Sequence, residues 1–411
     1  MINCYNGNVF SYKRNMKKKI YFLADSAVDL RLVYDLLKKN YNVAWVYYNK
    51  SLRTELLNLK YCEDNLILLN KNSLTILLKK IFNKVLGKIF FFKIDFMDEV
   101  LKNISFIDKR DKPDLWITDT GKLLAEIKLN SPKATFKHSV TYKKYFLAEN
   151  IFQYDYVFIP GEYHYNRIES YYPNKKYELK TKLLISPSTK ILPYLKLENN
   201  PVYKDIFYEK LNLDKNKKTV VLAPTHDAFF EGRFLPKKFN EETLALERIC
   251  KIITEEFNYN FVIKLHHYHF DKLKKKEFNF IKNLDNVCVF NTNKNYDGQN
   301  SEQVFCIADI VITDTSGVGP LCCFLDKMMI YLDPDEHFDW SSADIEKKLR
   351  PGFLMNNINE LKNILLSYKN DPTLYQKERF NFNEKIFKYK SLDDLNIIQD
   401  QIKNILEKND Q

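Results

Sequence analysis

The chain has 411 residues, too many for one hydrophobic core and suited to two domains, with three as the alternative. Hydrophobic residues make up 45%, enough for buried cores, while glycine and proline are too scarce for a disordered or fibrous chain. A formal charge of +11, from 64 basic against 53 acidic residues, favours an anionic partner. The basic residues are mostly lysines, scattered along the chain, with no zinc-finger spacing, RNP-like motif or Arg-rich arm, which argues against nucleic acid.

In chain order, the apolar run at 20–24 is too short for a signal-peptide core, and no stretch reaches the roughly 20 apolar residues of a membrane span. "KKIYFLAD" predicts a strand, "AVDLRLVYDLLKKN" a helix and "NVAWVYYN" a second strand. The turn between the first two, "ADSAVD", lacks G-x-G-x-x-G, so this is not an ordinary dinucleotide-binding half. Residues 71–94 carry six lysines and no acid, with Lys80, Lys84 and Lys88 on one side and Leu74, Leu77, Leu78, Ile81, Val85 and Ile89 on another. Two readings fit: a basic amphipathic helix lying on an anionic membrane surface, or a helix covering the first sheet with a solvated lysine face. Gly87 and the run of three phenylalanines at 90–92 lean towards the membrane.

Further strands are predicted at 114–119, 133–136, 154–161 and 181–186, closing an N-terminal domain over 1–195. The polar stretch 196–217 reads as a linker. A second alternating series, domain 218–390, places strands at 218–224, 260–266, 286–291, 309–314 and 328–333, with a helix over 241–257. Alternation of this kind predicts parallel sheets covered by helices, and a ligand cleft at the carboxyl ends of the strands. Residues 391–411 are amphipathic, with Leu395, Ile398, Ile402 and Ile405 on one side, and are expected to pack back as a closing helix. Seven cysteines with no C-x-x-C read as reduced structural thiols of a cytoplasmic protein.

Four segments carry candidate chemistry. In "ADIVITDTSGVGPLCCFLDK" (308–327) a strand end meets Thr315, Ser316 and Gly317 before an apolar helix. That arrangement can hold a phosphate, through helix N–H groups and two hydroxyls, although on spacing alone a plain capped turn is the more ordinary reading. "FVIKLHHYHF" (261–270) ends a strand in Lys264, His266, His267 and His269. Strand alternation sends His266 and His267 to opposite faces with no carboxylate or cysteine nearby, so a Lys-x-His anion clamp is preferred to a metal site. "VLAPTHDAFFEGR" (221–233) again leaves a strand end, into Thr225 and His226. His138, after "KATF", is either structural or a proton-transfer group matched to neutral pH.

The motifs "PTHD", "IKLHHY", "ADIVITDTSGV", "FLDKMMIYLD" and "RPGFLMNNINEL", in this order across about 114–366, resemble those of the CDP-glycerol glycerophosphotransferases, the teichoic-acid and capsule polymerases. The resemblance implies an α/β GT-B-like fold, two Rossmann-like domains with parallel sheets facing an interdomain cleft. It implies that Thr315, Ser316 and the helix beginning near Gly317 hold the donor's pyrophosphate. Lys264 with His266, and Thr225, match further family positions, and His138 corresponds to the family's general base. Three positions depart from the family pattern: Ser139 for a glycine, His226 for an aromatic residue and Gly317 for a serine.

The reaction implied is attack of an acceptor hydroxyl on the β-phosphorus of CDP-glycerol or a similar nucleotide donor, with CMP leaving. The partners implied are a polymer or lipid-linked acceptor and the anionic inner face of the cell membrane, with no nucleic acid. No cofactor or metal site is implied, and a divalent cation is left open. The rival readings are a GT-B glycosyltransferase using a nucleotide sugar for capsule or lipopolysaccharide, and a non-enzymatic basic protein on a nucleotide-binding scaffold.

Overall fold

The computed structural model describes residues 17–23, 27–47, 56–57, 66–68, 96–119, 124–136, 149–172, 180–189, 191–224, 246–264, 284, 286–290, 301–313, 318–332, 351–355 and 357–408. Their strands form two sheets. The first contains β1 (Lys19–Leu23), β2 (Asn42–Tyr47), β3 (Leu66–Leu68), β4 (Leu115–Thr118), β5 (Lys133–Phe136), β6 (Tyr156–Ile159) and β7 (Lys182–Ile185). Their order is β3-β2-β1-β4-β5-β6-β7, all parallel. The second contains β8 (Thr219–Leu222), β9 (Asn260–Ile263), β10 (Val287–Val289), β11 (Ile310–Thr313), β12 (Met328–Leu332) and β13 (Phe353–Met355). Its order is β10-β9-β8-β11-β12-β13, again all parallel.

These strands are continuous apolar runs because both faces of a parallel sheet are covered. Val220, Val221, Ile310, Val311 and Ile312 have no exposed surface, and a strand buried on both faces has no reason to alternate. The helices show the complementary pattern. In α1 (Ala27–Leu37), Leu30, Val33 and Leu37 fall at helical spacing and are buried against the first sheet. On the opposite face, Ile104 and Ile107 of α2 (Phe96–Asp111) and Ile168 of α3 (Glu162–Tyr171) join Trp116 and Val157 in a separate core. The helix expected over 241–257 is described from 246 and ends in a π-helical turn, Ile252–Glu256, where Thr254 Oγ1 bonds back to the Cys250 carbonyl at 2.9 Å.

Every strand expected from the sequence coincides with an observed one, and two observed strands were not expected. β3 and β13 are three-residue edge strands, too short for any periodicity to register. The polar stretch following β7 is helical: α4 (Leu192–Glu198) and α5 (Pro201–Lys210). Asn200 caps α5 by accepting from Tyr203 N at 3.1 Å, and Pro201 opens it, an ordinary helix start. Its polar composition hides a buried edge, since Phe207, Leu211 and Leu213 enter the core with Phe305 and Val311. Tyr208 donates to the Ile307 carbonyl at 3.0 Å and Tyr203 to Gln303 at 2.6 Å, holding α5 to the second sheet's side.

The C-terminal α9 (Asn396–Lys408) buries Ile398, Ile402, Ile405 and Leu406 against the first sheet, beside Val33 and Trp45. Gln399 Nε2 donates to the Leu36 carbonyl and Gln401 Nε2 to that of Ile185, each at 2.8 Å. The chain therefore runs through the second sheet's layers and then crosses back to the first. Before it come α6 (Val318–Phe324), α7 (Leu361–Asn370) and α8 (Gln376–Ile386). Among the described residues no helix is long and apolar enough to cross a membrane. The basic segment 71–94 lies outside them.

Candidate active site

Each sheet reverses its winding once, between β1 and β4 and between β8 and β11. Ligands of doubly wound sheets bind where the order reverses, at the carboxyl ends of the strands. In the second sheet the ends meeting there are level. Ile312 pairs with Leu222, and Leu222 with Ile263. The ladder continues one residue past the strands: Ala223 N donates to the Ile312 carbonyl and Lys264 N to the Leu222 carbonyl, both at 2.8 Å. Thr313, fully buried, donates its hydroxyl to the Ala223 carbonyl at 2.7 Å.

Three described segments thus end side by side on adjacent strands, at Lys264, Pro224 and Thr313, and the chain resumes in α6 at Val318. Lys264 is the one candidate site residue among those described. It is half-buried at the end of β9, its ammonium 5.4 Å from the centre of the Phe305 ring. Phe305 is completely buried, so the ring is a fixed platform and the cation–π contact holds the charge at the strand end. Thr225, His266, Thr315, Ser316 and Gly317 lie outside the described residues, as do His226, His267, His269 and Arg233.

On the first sheet, β5 ends at Phe136, two positions before His138, which also lies outside the described residues. The Phe136 ring stacks on Phe158 of β6 with centroids 4.1 Å apart and planes 4° from parallel. These rings, with Ser186 and Ser188, border a cavity of about 20 Å³ at the ends of β5, β6 and β7, room for a single water. Ser186 is buried there, and its hydroxyl has no hydrogen-bond partner among the described residues.

The one histidine among the described residues, His164 on α3, went unremarked in the sequence and is no acid–base candidate. Burial, assisted by the neighbouring Arg167 charge, pushes its pKa down to about 3. It is therefore neutral throughout the physiological range. The described cysteines are free, and burial raises the thiols of Cys250, Cys306 and Cys323 to about 12. Such thiols are poor nucleophiles and serve as packing. No group of three or more metal-ligating side chains occurs among the described residues.

The two halves meet through α8. Asn383 Nδ2 donates to the Cys323 carbonyl of α6 at 2.8 Å, and Phe387 packs edge-to-face on Phe324 at 5.0 Å. On its other side, Lys388 N donates to the Pro160 carbonyl at 3.0 Å. Gly161, at the end of β6, lies so close that a Cβ there would sit 2.3 Å from the Ile386 carbonyl oxygen. Helix α6 is thereby tied, through one intervening helix, to the strand beside β5.

Two doubly wound parallel sheets with a C-terminal helix returned to the first define a GT-B-like fold. Residues 133–402, well over half of the chain, match the family CDP-Glycerol:Poly(glycerophosphate) glycerophosphotransferase, and the chain belongs to that family. It is an enzyme of the glycerophosphotransferase type, as the sequence motifs implied. Among solved structures, the wall teichoic acid polymerase TagF is similar with a TM-score of 0.60 and 16% identity, covering 97% of this chain and 91% of that one. A putative UDP-N-acetylglucosamine 2-epimerase from Listeria monocytogenes is similar with a TM-score of 0.61 and 12% identity, covering 95% and 97%. The UDP-GlcNAc 2-epimerase of Methanocaldococcus jannaschii follows at 0.59 and 13%, covering 94% and 99%. At such identities the likeness carries the fold alone. No curated protein matches the chain in sequence.

Proposed function

We propose that the chain transfers glycerol phosphate, or a related polyol phosphate, from a CDP-linked donor to a hydroxyl of a cell-envelope polymer or lipid-linked acceptor, releasing CMP. The observation that carries this reading is the level alignment of the β9, β8 and β11 ends at the switch point of the second sheet, inside the family-matched region. In sequence, Thr225 and His266 each follow the ends of β8 and β9 by three residues, and Thr315 follows the end of β11 by two.

In the proposed mechanism, Thr315, Ser316 and the backbone at Gly317 hold the donor pyrophosphate, with Thr225 beside them. Lys264 and His266 supply positive charge against the phosphoryl oxygens as charge builds in the transition state. The acceptor hydroxyl attacks the β-phosphorus in line, a new P–O bond forms, and the P–O bond to the bridging oxygen breaks. CMP departs with that electron pair, and His138 takes the acceptor's proton. Such transfer needs positioning and electrostatics more than covalent help, and a placed base adds on the order of 10² to 10⁴. The basic segment 71–94 would keep the enzyme at the anionic inner face of the membrane, where a lipid-linked acceptor resides. Among relatives of the fold, TagF has been soaked with CDPG, and for this chain the CDP-linked donor remains part of the proposal.

The test is a donor panel with the products identified. Release of CMP from CDP-glycerol with glycerol phosphate appearing on an acceptor is the expected result. Release of UDP or GDP from nucleotide sugars, with no CMP from CDP-glycerol, would overturn it in favour of glycosyl transfer.

A further inference from the structure

We infer that a groove between α3 and the segment leaving α8 binds an anionic phosphodiester chain, so that a growing or primer polymer lies along the joint between the two halves. This rests on the proposed function for the identity of the chain, though not for its charge. The groove encloses about 490 Å³, within the range of about 300–1,000 Å³ typical of ligand sites. One wall is the first turn of α3, directly after the carboxyl end of β6; the other runs from Glu384 to Lys390.

Its lining suits alternating phosphates and polyols. Tyr163, which is mostly buried, and Phe387, which is fully so, form an apolar floor, and Asn166 offers an amide. Three lysines, Lys385, Lys388 and Lys390, stand against two carboxylates. Lys390 pairs with Glu384, and Lys388 only loosely with Glu162, at 3.8 Å between exposed side chains. Lys385 has no ion pair among the described residues. An exposed pair of this kind contributes little, so an incoming phosphate can take over its lysine.

One turn further along α3, Arg167 Nη1 donates to the Tyr163 hydroxyl at 3.1 Å. The buried Nη2 of Arg167 has no hydrogen-bond partner among the described residues. A second source of positive potential therefore underlies the same wall. Lys388 is held in place, since its backbone N–H is bonded to the Pro160 carbonyl.

Position decides which anion. The nucleotide would occupy the second sheet's switch point, and the groove adjoins β6, the direct neighbour of β5, whose end precedes His138. An acceptor must approach from that side for its hydroxyl to reach a base carried there. The Phe387 ring, engaged edge-to-face with Phe324, is buried and offers almost no open surface on which a nucleobase could stack.

The experiment titrates the full chain with a synthetic oligo(glycerol phosphate), with uncharged oligoglycerol as control and CDP in a separate arm. The expected result is salt-sensitive binding of the charged oligomer alone, weakened about tenfold in Lys385→Ala/Lys388→Ala and kept in Lys385→Arg/Lys388→Arg. CDP affinity and melting temperature stay as in the parent, and Glu162→Gln, which frees Lys388, tightens binding. Failure of the parent protein to bind the oligomer, unchanged binding in the double alanine variant, or a parallel loss of CDP affinity would each overturn the inference. Transfer from CDP-glycerol that persists alongside any of these leaves the proposed function standing. Oligomer binding lost in the double variant, without any CMP release from the parent, sustains the groove and removes the proposed function.

Discussion

The Thr313 hydroxyl donates to the Ala223 carbonyl at 2.7 Å, a buried bond that ties the last residue of β11 to the first residue beyond β8. It joins the carboxyl ends of the two central strands of the second sheet. A valine there keeps the shape and removes the donor, leaving a buried carbonyl with one partner fewer. Thr313→Val is expected to cost about 1–3 kcal/mol in a denaturant titration. On the proposed function it should also raise the KM for the donor more than it lowers kcat.

His138→Ala and His266→Ala are expected to abolish CMP release while leaving the melting temperature near that of the parent. Turnover like the parent's in either variant refutes that residue's role. Lys264→Gln tests a different quantity. Removing the charge above Phe305 should weaken donor binding about tenfold, as loss of a charge-assisted contact to phosphate does.

Acid stability provides a check on His164. Its pKa in the folded protein lies below that of an unfolded histidine because the neutral ring is buried. The unfolded chain therefore binds the extra proton first, and stability present above about pH 6.5 declines as the pH falls towards about 3. Replacing His164 with phenylalanine should flatten that acid limb in denaturation midpoints measured across pH. An equally steep limb would show that other groups govern it.

Gly161 is extended, a conformation open to any residue, so the penalty for replacing it is steric. In Gly161→Ala the new methyl meets the Ile386 carbonyl oxygen at 2.3 Å, and backbone on both sides must move. A loss of about 1–3 kcal/mol is expected, as for overpacked cores. Calorimetry would measure it, and an unchanged melting temperature would show that α3 and α8 separate freely.

Truncation before residue 396 removes four buried aliphatic side chains from the first sheet. Each contributes about 1.5–3 kcal/mol, a sum comparable with the whole margin of a domain, about 5–15 kcal/mol. The truncated chain is expected to be insoluble or to bind hydrophobic dyes; a cooperative transition at the parental temperature would contradict the packing of α9.

Much of the architecture was legible along the chain because burial leaves a local trace. Val220 to Leu222 and Ile310 to Ile312 are uninterrupted apolar runs since water touches neither face, and Ile398, Ile402 and Ile405 recur at helical spacing since one face is covered. The two strands that were missed, β3 and β13, are three residues long at sheet edges, where little burial is required. Of the candidate site, Lys264 was legible from its motif and stands at the expected strand end, while its support by Phe305, 41 positions away in sequence (305 less 264), left no trace in either segment.

Periodicity along a chain records that a face is buried, not which surface buries it. The sequence by itself therefore determined the type and sites of the main strands and helices, the absence of a spanning apolar segment and the motif residues of the family. Tertiary structure alone decided that β9, β8 and β11 end side by side, that α9 turns back to the first sheet, and that Gly161 meets Ile386. Those relations join residues tens to hundreds of positions apart. They follow from how two layered cores exclude water together, a property no single stretch of the chain contains.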